Sequence, residues 1–334
     1  MAIVGSGRFR HLVLALLVAA LLSAAVAPAP VAAAPRAPAR HAGRSAVYGV
    51  GIRKETFVDK TSPTPSHNGV PGAATRTLRT IVLYPTLDNP NDAPVPDATP
   101  APRSVPLVVV VHGASTGPAS NVPVLEQLAA AGYVVAMPKF PLTGEDTVGG
   151  PDPADYVNEP ADISFVIDRL LRLTKDPRSV YHGTIRPHRV AVLGLSLGAS
   201  AAIAVGYGTC CIDERVDAVV AVSGAKAFPG LPAFPGTYSY PPTPLLLVRG
   251  TPPSDFAASF SEPIFAEARA PKFLLTVTNG QHVPLLADDP GGRTSLRAVI
   301  AFFDRYLESR HHALDVLLDQ GQDPSIATLR AVTR

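Results

Sequence analysis

The chain has 334 residues, 46% hydrophobic and 17% charged, the composition of a folded globular protein and not of a disordered one. Its formal net charge is +2, from 29 basic and 27 acidic residues with no dense basic stripe, which argues against nucleic acid as a partner. The length lies slightly above the size at which single cores stop growing, so one large domain with trimmed ends is expected.

Arg8 and Arg10 precede an apolar run over residues 12–27, followed by small residues and prolines. This is the order of a secretory signal peptide. Val31 and Ala33 meet the small-residue requirement of cleavage, so the predicted signal peptide is 1–33; a cut after Ala34 would set Pro35 beside the scissile bond. The alternative is a retained anchor, although the run falls just short of a comfortable span. No cysteine near the cut offers a lipid attachment, and loss of Arg8 and Arg10 cancels the net charge. No second apolar stretch is long enough to span a bilayer, so the mature chain is expected to be soluble, secreted and without a stable membrane span.

Residues 34–46, rich in Ala, Pro and Arg, read as a flexible leader. Two extended pieces follow, 50–58 and 77–84, joined by a hairpin-like connection over 61–74 full of Pro, Ser, Gly and Asn. A Pro/Asp/Asn loop covers 88–103. The pattern then changes to short apolar runs separated by helical segments. Five consecutive Leu or Val residues over 107–111 mark a strand buried on both faces of a parallel sheet. Helices are expected over 121–131, 161–173, 196–207, 256–268 and 295–308, and strands over 133–137, 189–193, 216–222, 244–248 and 272–277. The alternation predicts an α/β fold: one domain over 47–310 with a mostly parallel eight-stranded sheet and helices on both faces. Residues 311–334 are expected to form a C-terminal helix or tail.

The chemistry centres on Gly194-Leu195-Ser196-Leu197-Gly198. A lone G-x-S-x-G recurs by chance, but here the apolar strand Val190-Ala191-Val192-Leu193 runs into Gly194, and Ala199, Ala201 and Ala202 begin a helix just beyond. A turn this tight strains its central residue and exposes the side chain above the sheet, which makes Ser196 the candidate nucleophile. Serine needs a base within hydrogen-bond reach, itself oriented by an acid. On such a sheet the partners follow in the order Ser, acid, His, each on a loop after a strand. Asp255 follows the seventh expected strand and His282 the eighth. Pro252 and Pro253 occupy the places where the acid often lies; Asp213 and Asp217 precede or begin a strand, at the wrong end of the sheet. His311 and His312 lie at the end of the closing helix, where solvated or C-terminal charge roles suffice. The oxyanion donors are assigned to the backbone N–H groups of Leu197 and Ala114, with Ser115 as the fallback and His112 as a structural residue of that turn.

His112-Gly113, the elbow and the Asp255 and His282 positions resemble the α/β-hydrolase superfamily. The stretch from Arg76-Thr77-Leu78 to Tyr84-Pro85, with Gly132-Tyr133-Val134-Val135 and Pro160-Ala161-Asp162-Ile163-Ser164-Phe165, resembles secreted bacterial hydrolases near the dienelactone hydrolase and platelet-activating factor acetylhydrolase groups. The resemblance covers most of 47–310 and implies the α/β-hydrolase fold and carboxylic ester hydrolysis. Two departures matter. Dienelactone hydrolases proper use a cysteine where Ser196 stands, and the acetylhydrolase group can take its acid from the loop after the sixth strand. Here that loop begins Ser223-Gly224-Ala225-Lys226 and offers no carboxylate, which favours Asp255.

The expected function is therefore an esterase- or lipase-like serine hydrolase acting through an acyl-enzyme on a small-molecule or lipid ester, with no cofactor and no metal. A peptidase or acyltransferase on the same triad, or a non-catalytic secreted binding protein on this scaffold, are the alternatives. The substrate pocket is assigned to the segments 141–159 and 228–240, where Phe228, Phe234, Tyr238 and Tyr240 serve either as pocket lining or as scaffold packing. The adjacent Cys210 and Cys211 exclude a disulfide framework. A vicinal disulfide and two reduced thiols both stay open, with thiols favoured because neighbouring Cα atoms lie closer than ordinary disulfide geometry prefers. Oligomeric state is not legible.

Overall fold

The computed structural model describes residues 48–90, 92–251 and 256–334. The expected signal peptide (1–33) and leader (34–46) lie outside the described residues. The strands are β1 (Gly49–Asp59), β2 (Arg76–Thr86), β3 (Val95–Pro96), β4 (Val105–Val111), β5 (Val134–Lys139), β6 (Ile185–Leu195), β7 (Val216–Val222), β8 (Leu245–Thr251), β9 (Lys272–Thr278) and β10 (Ala327–Val332). The α-helices are α1 (Pro118–Ala130), α2 (Glu159–Lys175), α3 (Leu197–Tyr207), α4 (Phe256–Glu267), α5 (Pro290–Tyr306) and α6 (Ala313–Asp319).

All strands join one sheet in the order β10-β9-β8-β7-β6-β4-β5-β2-β1-β3. From β5 to β9 the pairings are parallel; β1 with β2, β2 with β5 and β10 with β9 are antiparallel. The parallel α/β architecture is thus as the sequence predicts, with two strands more than expected. β3 is a two-residue pairing inside the Pro/Asp/Asn loop, too short to show a period. β10 arises from the segment expected as a helix or tail, which forms α6 and then an edge strand paired with β9. The domain therefore runs past residue 310. Most of β10 is only half-buried or exposed, as an edge strand allows, so it lacks the apolar run that marks an interior strand.

Interior strands are buried on both faces because their alternate side chains enter two separate cores. In β4, Val105, Leu107, Val109 and Val111 pack with residues of α2, α3 and α4. Val108 and Val110 pack on the other side with α1, α5 and α6. α3 is buried along its whole length and built from small residues. Gly206 shows why: a Cβ there would stand 2.6 Å from Cγ2 of Val219 in β7.

The chain enters the sheet's parallel part at β4, adds β5 on one side, and then returns to add β6 on the other side of β4. In open α/β sheets, ligands bind outside the carboxyl ends of the strands at such a switch point. Here it falls between the ends of β4 and β6.

A buried ion cluster ties the antiparallel front to this frame. Arg76, at the start of β2 and 2% exposed, forks onto Asp162 of α2 at 2.7–3.0 Å and onto Asp155 at 2.8 and 3.1 Å. Removing the guanidinium would leave two carboxylates buried without their shared cation, a loss of about 3–5 kcal/mol. Arg76→Met should lower the unfolding free energy by that amount in urea titration; a loss of less than about 1 kcal/mol would show that Asp155 and Asp162 find other compensation.

Candidate active site

Ser196 lies at the junction of β6 and α3, with φ 52° and ψ −117°. A non-glycine residue there is held in a sparsely populated conformation, costing roughly 1–3 kcal/mol that the surrounding packing must offset. Two glycines allow the turn. A Cβ on Gly194 would stand 2.3 Å from the Gly198 carbonyl oxygen, and one on Gly198 would stand 2.4 Å from that of His112. Ser196 N–H donates to the Val222 carbonyl at 2.8 Å, which fixes the turn to the end of β7. Its Oγ lies 2.7 Å from Nε2 of His282.

His282 sits in the loop after β9. The residue is exposed, yet protein packed around part of the ring disfavours the imidazolium and lowers its pKa from the ordinary value. For Ser196 to donate to Nε2, the ring proton must sit on Nδ1. Among the described residues no carboxylate accepts that proton; Asp255, expected to do so, lies outside the described residues.

The loop after β4 completes the group. A Cβ on Gly113 would lie 3.3 Å from the Ser196 Cβ, so this loop stands directly against the elbow. Ser115 N–H is committed to the Thr143 carbonyl at 2.8 Å, which removes Ser115 as an oxyanion donor. Neither Ala114 N–H nor Leu197 N–H has an acceptor among the described residues. Leu197 N–H belongs to the first turn of α3, where the helix leaves its amides unpaired. His112 is structural, as expected: Nε2 accepts from Phe140 N–H at 3.2 Å, so the proton lies on Nδ1, which donates to the Gly113 carbonyl at 2.8 Å. Burial pushes the His112 pKa down to about 4.

Residues 108–333 match the alpha/beta hydrolase family. The chain is an α/β-hydrolase. Among solved structures it is similar to a ferulic acid esterase from Streptomyces cinnamoneus, with a TM-score of 0.61 and 23% identity over 80% of this chain and 93% of that one. No curated protein matches it.

Two residues of this α/β-hydrolase join the site without having been expected there. Ser223, at the end of β7 with φ 55°, donates from its Oγ to the His282 carbonyl and so anchors the histidine loop. Gly250, near the end of β8, lets that loop close: a Cβ there would meet the carbonyl oxygens of Gly280 at 2.3 Å and Gln281 at 2.4 Å. The signal for Ser223 was its place at a strand end, where the sequence was searched only for carboxylates. Ser115, Ser196 and Ser223 all take positive φ, at 56°, 52° and 55°, so left-handed serines gather at the carboxyl ends of β4, β6 and β7.

The expected pocket residues divide. Phe234 (7% exposed) and Tyr240 (4%) are core, packed against Tyr156 and Tyr207 respectively, as scaffold packing would have them. Phe228 and Tyr238 are half-buried against the same core. A cavity of about 220 Å³ is walled by part of the expected segment, Pro141, Leu142 and Val148, but its opposite wall is the β1–β2 connection and not 228–240. Neither Ser196 nor His282 lines it.

Cys210 and Cys211 are joined, the less favoured of the two open readings, with Cα atoms 3.8 Å apart. They lie in the turn after α3, where Cys211 and Ile212 N–H both donate to the Gly208 carbonyl, at 2.8 and 3.0 Å. Among the described residues no group of three or more His, Cys, Asp or Glu could hold a metal ion, and no helix is long and apolar enough to cross a membrane.

The two site histidines should titrate apart. By NMR, His282 should show a midpoint below about 6.5, and His112 should stay neutral, as the Nδ1–H tautomer, down to about pH 4. Because the folded state binds the His112 proton less readily than the unfolded chain, this residue's contribution to stability is complete above about pH 6.5 and is lost as pH falls toward 4. A His112 midpoint near 6.5 would contradict its buried, doubly bonded placement.

Proposed function

We propose that this α/β-hydrolase is a secreted serine esterase that cleaves carboxylic esters through an acyl-enzyme. The observation that carries the reading is the 2.7 Å contact between Ser196 Oγ and His282 Nε2 at a strained elbow, since a nucleophilic serine needs a base at this distance. Ser196 Oγ attacks the ester carbonyl carbon as His282 Nε2 takes its proton. The carbonyl oxygen, now negative, accepts hydrogen bonds from Leu197 and Ala114 N–H. When the tetrahedral species collapses, the C–O bond to the alcohol breaks and His282 returns its proton to the leaving oxygen. Water, deprotonated by the same imidazole, then releases the acid and restores Ser196.

Asp255 is the acid in this reading, orienting the His282 ring and stabilising its charged form. Ser223, through the His282 carbonyl, and Gly250, through the close packing of residues 280–281, keep the loop in register with Ser196. Burial lowers the His282 pKa from its ordinary value and so favours the neutral imidazole that a general base requires. In this reading residues 1–33 direct export of the chain. The name of the ferulic acid esterase, a structural neighbour, is in keeping with an ester as substrate.

Hydrolysis of p-nitrophenyl acyl esters, set against peptide substrates, tests this directly. Ester turnover should be lost in Ser196→Ala and should fall on the order of ten-thousandfold in Asp255→Asn. Turnover close to wild type in Asp255→Asn would refute the acid assignment, and cleavage of peptides in preference to esters would refute the substrate class.

A further inference from the structure

The loop that carries Ala114 is held by two residues with no part in the chemistry above. The Thr143 carbonyl accepts Ser115 N–H at 2.8 Å, and Glu145 N–H reaches the Thr116 carbonyl at 3.2 Å. Thr116 and Gly144 pair as a parallel bridge between these two bonds, so residues 143–145 run beside 115–116 as a short ladder. The Thr143 side chain is buried, and its Oγ1 donates to Glu159 Oε1 at 2.7 Å.

Glu159 is an unusual choice of residue for its place. It opens α2, is 0% exposed, and its Oε2 has no hydrogen-bond partner among the described residues. The nearby guanidinium of Arg76 is divided between Asp155 and Asp162 and forms no ion pair with Glu159. An apolar side chain would fill the site without burying polar atoms. What an apolar residue could not do is accept the Thr143 hydroxyl.

We propose that Thr143, held by Glu159, is a positioning residue for the oxyanion loop: the Glu159–Thr143–Ser115 chain fixes the peptide that presents Ala114 N–H to the oxygen of a carbonyl attacked by Ser196. The proposal rests on the ester-hydrolase reading and adds to it the source of the loop's rigidity. Spending the Ser115 amide on Thr143 keeps that amide from competing with Ala114 and sets the backbone at a residue already in the left-handed region, with φ 56°. Burial drives the Glu159 carboxyl well above the usual range, the hydrogen bond from Thr143 opposes that shift, Asp162 and Asp155 add to it, and Arg76 counters them.

The test separates geometry from turnover. With p-nitrophenyl acetate, Thr143→Val should lower kcat about tenfold to a hundredfold, less than or comparable to the loss of one oxyanion donor, with KM within about twofold. It should weaken a trifluoromethyl ketone, whose serine adduct bears the oxyanion, by the same factor. Thr143→Ser, which keeps the hydroxyl, and Glu159→Gln, which keeps a side-chain oxygen to accept it, should both stay near wild type. If Thr143→Val does not fold, Glu159→Leu set against Glu159→Gln carries the same comparison. Hydrogen exchange at the Ser115 amide reads the tether without any substrate, and should quicken in Thr143→Val and Glu159→Leu but not in the conservative pair. Unchanged exchange, wild-type kcat in the folded Val variant, or a loss confined to KM would each overturn the proposal. Quickened exchange in a protein whose wild type cleaves no ester would instead overturn the ester-hydrolase reading and leave the tether standing.

Discussion

The parallel pairing of β4 with β6 brings the elbow and the loop after β4 within reach of each other, and the rest of the site depends on how closely they approach. At Gly198 the backbone of α3 lies against the carbonyls of Val111 and His112, with no room for a side chain. At Gly113 the second loop stands against Ser196 itself. Close-packed backbones of this kind leave little freedom, so the strained φ at Ser196 is held by many contacts at once. The buried runs in β4 and β6 that drive the pairing also supply both cores, which links the position of Ser196 to the stability of the whole sheet.

Around that junction each neighbouring strand end contributes one device. β7 ends in Ser223, whose hydroxyl holds the His282 carbonyl. β8 carries Gly250, whose missing side chain admits residues 280–281. β5 leads into the segment where Thr143 ties down Ser115. None of these touches a reacting atom. Each converts the stiffness of the sheet into the placement of a loop, as expected when chemistry sits on loops and precision comes from the scaffold.

Much of this was legible in the sequence because strong local patterns carried it. The run of Leu and Val over 107–111 marked a doubly buried strand, and the apolar strand entering Gly194 gave the elbow its context. His282 was found by its place after the last expected strand. What escaped had weak or competing signals. β10 is a half-exposed edge strand without an apolar run, and the Glu159–Thr143 contact joins residues 16 apart in sequence through side chains no periodicity reports. Ser223 was passed over because the search at its strand end was for a carboxylate. The Cys210–Cys211 link was left open and disfavoured on the Cα spacing of adjacent residues, yet the turn at Gly208 accommodates it. Phe234 and Tyr240 were legible as aromatic but not as buried, since a Pro-rich segment gives no period from which to read a face.

The central claim is that Ser196 is a nucleophile activated by its place in this fold. A fluorophosphonate probe followed by intact-mass measurement and peptide mapping tests it most directly. A single adduct on Ser196 in the folded protein, lost on unfolding and in His282→Ala, is the predicted result. Folded protein that takes up no probe, or takes it up at another residue, would contradict the account.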